Sequence, residues 1–149
     1  MKIYVDADAC PVLAKETLFK VSERLSVTLV FIANQFMRLP KDPLVEFILA
    51  NDGPDEADNM IVELMEAGDL VITSDIPLAD RAIKKDGDVL DPRGVVMDKE
   101  NIGSKLGTRN LMEELRNNGL NTGGPSAYSK KDRQDFANAI DKYLTRRLG

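Results

Sequence analysis

Two aspartates follow the first apolar run of this 149-residue chain, Ile3 to Val5. Asp6 and Asp8 are two residues apart, so in an extended chain both carboxylates point to the same side. Asp6 comes directly after a run that should form a central strand, where a charged carboxylate costs free energy unless it is paired. That cost favours a functional role for Asp6 over a purely structural one.

Three further aspartates stand where helices should begin. Asp55 and Asp58 lie at the start of one predicted helix, and Asp75 follows the apolar run Leu70 to Thr73. Each also has a structural interpretation. Asp55 with Asp58 three residues later resembles a capping box, and Asp75 could cap the helix that follows it.

These five carboxylates would define a site for a hard cation if the fold brings them together. Carboxylates in proximity raise one another's pKa unless a cation neutralises them. Oxygen ligands without His or Cys favour Mg²⁺ or Mn²⁺ over zinc, and such ions suit phosphoryl chemistry by activating water. The predicted metal ligands are Asp6, Asp8, Asp55, Asp58 and Asp75.

The composition excludes several other kinds of chemistry. The chain has no His and one Cys, so it cannot form a Ser-His-Asp triad, a Cys-His dyad or an intramolecular disulfide. A single cysteine, Cys10, suits a reducing cytoplasm. It lies near a predicted helix start that could lower its pKa, but because no base is at hand we interpret it as a small packing residue. The start of the chain turns polar by residue 6, and no apolar run approaches a membrane span. We therefore expect a cytoplasmic protein that does not enter a membrane.

Strands that alternate with helices should position the acids. Near-continuous apolar runs predict strands that are buried on both faces, as in a parallel sheet covered by helices. We therefore predict a three-layer α/β/α fold with a mainly parallel central sheet, in a single domain over 1–149. Sites in such sheets form at the carboxyl ends of the strands, where the strand order switches. The predicted strands cover 3–5, 27–33, 70–73, 89–90 and 95–96, and 45–49 is either a strand or a helix; the predicted helices cover 11–23, 55–67, 75–85, 102–117 and 130–147.

Basic residues are concentrated after the predicted sheet. Residues 1–98 carry 19 acids and 10 bases, whereas 99–149 carry 6 acids and 10 bases. A helix that presents Lys105, Arg109 and Arg116 on one side could contact a phosphate backbone, and Arg93 could add a fourth cation. The alternative is a solvated helix face whose bases pair with neighbouring glutamates.

Two loops have less specific patterns. Thr122 to Pro125 contains two glycines that could bring backbone N–H groups to an anion, although such a loop is more often a simple turn. Phe36 and Met37 follow the second predicted strand near the predicted site. They could contact a substrate or partner, but we expect both to fold back into the core.

Several motifs together resemble one bacterial family. They are Asp-Ala-Asp-Ala-Cys-Pro-Val (6–12), Gly-Pro-Asp-Glu-Ala-Asp-Asn-Met-Ile-Val (53–62), Asp-Leu-Val-Ile-Thr-Ser-Asp-Ile-Pro-Leu-Ala (69–79), Pro-Arg-Gly (92–94), Thr-Gly-Gly-Pro (122–125) and the stretch from Ser129 to Phe136. On these motifs the chain resembles the YaiI/YqxD family, which is similar to PIN-like domains.

The resemblance implies an acidic site that binds Mg²⁺ or Mn²⁺ and cuts RNA or DNA. Carried over to this chain, it implies catalytic roles for Asp6 after the first strand, Asp58 in mid-chain and Asp75 after the fourth strand. Many PIN nucleases have Glu at the mid-chain position, where this chain offers Asp55 and Asp58.

The leading hypothesis is therefore a metal-dependent nuclease, a hydrolase of phosphodiesters with RNA as the expected substrate. One alternative is a non-catalytic module that binds nucleic acid or a nucleotide, since fold does not imply function. Another is a phosphatase of the haloacid-dehalogenase type, because Asp6-x-Asp8 resembles the nucleophile and acid of that family. Against the phosphatase, Cys10 stands where that family expects Thr or Val.

Overall fold

The structure is a computed structural model that describes residues 1–120 and 126–149. Six strands form one sheet in the order β3-β2-β1-β4-β5-β6, and every pair is parallel except β5 with β6. The elements are β1 (Lys2–Asp6), a 3-10 turn (Ala7–Ala9), α1 (Val12–Leu25), β2 (Thr28–Ala33), β3 (Val45–Leu49), α2 (Glu56–Leu64), β4 (Leu70–Ile72), α3 (Ile76–Lys84), β5 (Asp88–Leu90), β6 (Val96–Met97), α4 (Ile102–Asn117) and α5 (Lys130–Leu148). Helices cover both faces of the sheet, which confirms the predicted three-layer α/β/α fold.

The central strands are apolar because each of their faces packs against a helical layer. Along β1, Ile3 and Val5 pack on the side of α1 and α5, whereas Tyr4 packs on the side of α2 and α3. The strand 45–49, which the sequence left open between helix and strand, is β3, and it pairs in parallel with β2. No helix in the described part of the chain is long and apolar enough to cross a membrane.

The predicted end of α2 differs from the observed one because tertiary contacts decide it. The helix predicted to reach residue 67 ends at Leu64, since Met65 adopts an extended conformation and its side chain is buried in the core. Asp69 then accepts hydrogen bonds from the Glu66 and Lys2 N–H groups, both at 2.9 Å. The buried Asp69 carboxylate thus ties the end of α2 to the start of β1.

Phe36 and Met37, in the loop after β2, were both expected in the core, but their side chains have different environments. Met37 is partly buried against the core, but Phe36 is 77% exposed, so the prediction was wrong for Phe36. The Phe36 ring instead packs edge-on against Phe47 of β3, with ring centroids 5.9 Å apart. Cys10 is buried, in agreement with its predicted packing role.

The last two helices differ in how they join the body of the protein. In α5, Phe136, Ile140 and Leu144 are fully buried against the sheet. In α4, only Ile102 is buried, with Leu106 partly buried beside it, and the helix packs on α3. A Cβ added at Gly103 or Gly107 of α4 would meet nothing within 4 Å. The far end of α4 therefore has little packing to stabilise it.

Candidate functional site

The strand order switches at β1, which places a crevice at the carboxyl edge of the sheet. From β1 the chain continues to β2 on one side, and it returns to β4 on the other side. Asp6 is the last residue of β1, and Asp75 lies three residues beyond the end of β4. Ligands of open α/β sheets bind at such a switch point, so these two acids occupy the expected position.

Asp6 is the most deeply placed carboxylate of this edge, with 7% of its surface exposed. Its Oδ2 accepts a hydrogen bond from Thr73 Oγ1 at 2.9 Å. Burial raises the pKa of Asp6, and the charges of Asp75 and Asp8 raise it further, although the Thr73 hydroxyl opposes them. A cation placed here would remove the charge repulsion that this carboxylate experiences.

Thr73 connects the two strand ends and is a site residue that sequence reasoning missed. The hydroxyl donates to Asp6, and the same oxygen accepts a hydrogen bond from the Asp75 N–H at 3.0 Å. Thr73 is fully buried, so this bridge is shielded from water. The available signal was a hydroxyl residue at the end of a buried apolar run, two positions before an acid.

Asp75 caps the helix that follows it, which is the structural role that its position suggested. It is the N-cap of α3, and its Oδ1 accepts a hydrogen bond from the Leu78 N–H at 3.0 Å. The cap uses one lone-pair position, and an ionised carboxylate offers about four. Asp75 also lies close enough to raise the pKa of Asp6 and of Asp58.

Asp58 extends the acidic group from the first turn of α2. Burial raises its pKa to about 6, and the charges of Asp75, Asp6 and Asp55 add to this effect, while Arg81 opposes it. Asp55 stands at the N-cap position of α2 but makes no side-chain capping bond, so the predicted capping box is absent. Asp55 is exposed. Of the two mid-chain acids, Asp58 is the one that the fold places among the partly buried carboxylates.

Asp8 does not project from an extended chain, contrary to the expectation for the pair Asp6 and Asp8. Residues 7–9 form a 3-10 turn, so the two-residue alternation of a strand ends at Asp6. Asp8 is exposed, and its Oδ2 accepts a hydrogen bond from the Asn34 N–H at 2.8 Å. The adjacent Asn34 Oδ1 is buried and has no hydrogen-bond partner among the described residues. Asp8 thus anchors the end of β2.

The site's chemistry fits a hard divalent cation, although its side chains are not arranged as a ready-made cage. Within residues 1–120 and 126–149, no three acidic or cysteine side chains are grouped closely enough to hold a metal ion. All the donors at this edge are oxygens, however, and carboxylate oxygens are the ligands that Mg²⁺ and Mn²⁺ prefer. Asp6, Asp58 and Asp75 are the carboxylates at this edge that such an ion would attract, and their side chains would have to move closer together to hold it.

Three of the four predicted substrate-binding cations line one groove between α4 and the start of α3. The groove lies between α4 and the start of α3, has a volume of about 520 Å³, and begins at the residue that follows Asp75. Arg109 Nη1 also contacts Glu113 Oε2 at 3.2 Å, so the helix-face pairing considered above is present too. The lining residues are Ile76, Ser104, Lys105, Thr108, Arg109, Met112 and Arg116.

Arg93, the fourth predicted cation, is engaged elsewhere. Its Nη1 lies 3.2 Å from Asp132 Oδ2, its Nη2 donates to the Ser126 carbonyl oxygen, and its guanidinium lies 5.9 Å from the centroid of the Tyr128 ring. These contacts fasten the loop after β5 to the start of α5. The glycine loop from Thr122 to Pro125 lies outside the described residues.

Replacing Asp58 with Asn should stabilise the protein at neutral pH when a chelator is present. The folded-state pKa of about 6 lies above the ordinary value of 3.8, so the unfolded chain loses its proton first. The wild-type protein should therefore lose stability as the pH rises from about 4 to about 6, and the deficit should persist above that range. After allowance for partial solvent exposure, the gain in unfolding free energy for Asp58→Asn at pH 7.5 should be about 1–2 kcal/mol.

Urea unfolding at pH 4 and at pH 7.5 measures this effect. Asp55→Asn is the matched control, because Asp55 is exposed at the same helix end and should change stability less. An Asp58→Asn variant that gained nothing at pH 7.5 would contradict the burial and repulsion assigned to Asp58.

The fold and the site define a class: a three-layer α/β/α protein with acidic side chains at the switch point of a parallel sheet. Comparison with known proteins identifies the family within this class. A family model described as "Uncharacterized BCR, YaiI/YqxD family" matches residues 4–146. The chain therefore belongs to the YaiI/YqxD family, as its motifs predicted.

The relatives match along nearly their whole length. A UPF0178 protein of Maridesulfovibrio salexigens is 53% identical over 148 residues, which cover 99% of this chain and 98% of the relative. A UPF0178 protein of Syntrophotalea carbinolica is 50% identical over 99% of this chain and 100% of its own length. One from Vibrio cholerae is 48% identical over 100% of both chains. No solved structure matches the chain significantly.

Proposed function

We propose that the protein is a divalent-cation-dependent nuclease, which hydrolyses the phosphodiester bonds of nucleic acid and has RNA as its expected substrate. The observation that carries the proposal is the acidic group at the switch point: Asp6 is buried at the end of β1, and burial, together with the charge of Asp75, raises the pKa of both Asp6 and Asp58. Charge repulsion of this kind costs folding free energy, and a bound cation would relieve it.

The residues of the crevice would have different roles in the reaction. Asp6, Asp58 and Asp75 would hold Mg²⁺ or Mn²⁺. When bound, such an ion supplies Lewis-acid activation of water and neutralises charge that develops at phosphorus. The hydrogen bond from Thr73 would fix the orientation of the Asp6 carboxylate, because both groups are buried.

The groove between α3 and α4 would hold the nucleic-acid backbone beside these acids. A protein with a net charge of −5 repels a polyanion in general, so it needs local cations to bring phosphates close. Lys105, Arg109 and Arg116 would meet that need next to Asp75. Contacts to phosphate position a substrate without reading its sequence, so binding should weaken as salt concentration rises.

The test combines cation binding with cleavage. We expect the purified protein to bind Mn²⁺ in a calorimetric titration and to cut end-labelled single-stranded RNA at low salt, with EDTA stopping the reaction. Absence of both Mn²⁺ binding and cleavage would refute the proposal. Binding of Mn²⁺ and RNA without cleavage would favour the non-catalytic module, and stoichiometric uptake of beryllofluoride would favour the phosphatase.

A further inference from the structure

The outer edge of β3 has backbone groups with no partner among the described residues. β3 is the last strand at one side of the sheet. The hydrogen bonds to its neighbour β2 involve alternate residues along the β3 segment. The Leu29 N–H donates to the Leu44 carbonyl oxygen, and the Ala50 N–H donates to the Ala33 carbonyl oxygen, both at 2.8 Å. The same alternation directs the backbone groups of Glu46 and Ile48 toward β2.

Val45, Phe47 and Leu49 therefore direct their N–H and C=O groups away from the sheet. The Val45 N–H is already satisfied, because it donates to the Asp42 carbonyl oxygen at 3.0 Å. The N–H groups of Phe47 and Leu49 and the carbonyls of all three residues remain as an edge to which another strand can be added.

Apolar side chains border this edge. Phe36 is 77% exposed and packs on Phe47, and Leu49 is 54% exposed. Phe47 and Leu49 are two residues apart in a strand, so their side chains lie on the same face of the sheet. An unpaired strand with exposed apolar side chains beside it is typical of a surface that another chain covers.

We propose that a second copy of this chain covers the edge, through an antiparallel β3–β3 pair centred on Phe47. A two-fold axis at Phe47 lets its N–H donate to the carbonyl oxygen of Phe47 of the partner subunit, and the reverse. The same axis lets the Leu49 N–H donate to the carbonyl oxygen of Val45 of the partner subunit. The pairing thus uses the outward-facing residues and needs nothing from the satisfied Val45 N–H. The edge is complementary to itself.

Apolar side chains beside the strand would add to the surface that two copies bury. A standard interface buries about 800 Å² on each partner, which a five-residue strand does not supply alone. Phe36 adds apolar area because an aromatic side chain buries roughly 150–250 Å². In this register Glu46, the one charged residue of β3, stands opposite Ile48 of the partner subunit. No two carboxylates therefore face each other directly.

This proposal is independent of the nuclease proposal. An antiparallel strand pair points the carboxyl edges of the two sheets in opposite directions, and each copy keeps its own Asp6, Asp58 and Asp75. A monomeric variant should therefore bind Mn²⁺ as well as the wild type does.

The experiment measures the mass of the full chain in solution by sedimentation equilibrium over a range of concentrations. We expect a mass twice the 16.5 kDa of one chain. Two variants should each weaken dimerisation at least tenfold: Phe36→Asp places a charge in the interface, and Leu49→Pro removes an outward N–H that β2 does not use. The matched control is Leu111→Asp, which changes an apolar side chain of α4 that is 53% exposed and should leave the dimer intact.

Cysteine crosslinking tests the register. A hydrogen-bonded antiparallel pair has Cα atoms about 5.5 Å apart, within the range of a disulfide. Phe47→Cys should crosslink under mild oxidation at least tenfold faster than Glu46→Cys, because residue 46 faces residue 48 across the axis. If Leu49→Pro fails to fold, as seen by circular dichroism, Phe36→Asp decides. A monomeric wild type, a dimer broken by Leu111→Asp alone, or equal crosslinking of the two cysteine variants would overturn the proposal.

Discussion

Replacing Asp6 with Asn should weaken Mn²⁺ binding and Mn²⁺-dependent RNA cleavage by roughly 100-fold or more, since loss of one preorganised charge at a reacting centre has effects of this size. The amide keeps an oxygen that can accept the Thr73 hydroxyl, and its volume matches that of the carboxyl. The variant should therefore fold. Its unfolding free energy in EDTA should rise at neutral pH, because the buried negative charge is gone.

Calorimetry with Mn²⁺ and a cleavage assay on end-labelled RNA measure the two losses. Asp86→Asn is the matched control: Asp86 is exposed away from the crevice, and asparagine tolerates its backbone φ of 64°. The control should keep wild-type affinity and rate. An Asp6→Asn variant that bound Mn²⁺ as tightly as the wild type would remove Asp6 from the proposed ligands.

Replacing Phe136 with Ala should cost about 3–5 kcal/mol of unfolding free energy, the range measured for large buried aromatic side chains. Phe136 is fully buried in the core layer between the sheet and α5. The backbone also leaves little room for the layer to collapse, because a Cβ at Gly94 would already lie 2.7 Å from the Asp135 carbonyl oxygen. A domain of this size has an unfolding free energy of about 5–15 kcal/mol, so the expected loss is a large fraction of its stability.

Urea unfolding followed by far-ultraviolet circular dichroism measures the loss for Phe136. Leu148→Ala serves as the control, since Leu148 is exposed at the end of the same helix and should change stability by less than about 0.5 kcal/mol. Equal small effects at the two positions would mean that α5 does not contribute to the core.

The layered fold was predictable because burial on both faces leaves a direct mark on composition. The strands at 27–33 and 70–73 were identified from apolar residues alone, and the helix 102–117 was found with its observed limits. Strand order and register were not predictable in this way, because they depend on pairings between residues far apart in the chain. Phe36 shows a related limit: nothing in its local sequence indicates that Phe47 would support it from outside the core.

The candidate site was predictable in part for similar reasons. Asp6 and Asp75 follow buried strands, so their convergence at one edge follows from parallel pairing. The extended conformation expected at Asp8 was wrong because the chain changes from a strand to a 3-10 turn within a single residue. Thr73 was missed because its importance lies in two hydrogen bonds that exist only once β4 lies beside β1. Sequence therefore identified the charged groups and missed the neutral residue that orients them.

The sparse packing of α4 gives the groove a lower local stability than the strand ends that carry the acidic group. Glycine within a helix costs about 1 kcal/mol relative to alanine, and α4 has two glycines whose open surroundings offer no compensating contact. Segments with few buried contacts open at lower free energy than core strands, so α4 should fray while Asp6 and Thr73 stay fixed. Lys105 and Arg109 thus lie on a helix that can change conformation, whereas Asp6 lies at the end of a rigid strand. A polyanion that bound in the groove would order α4. The free energy cost of this ordering would make the observed binding weaker than the contacts alone would give.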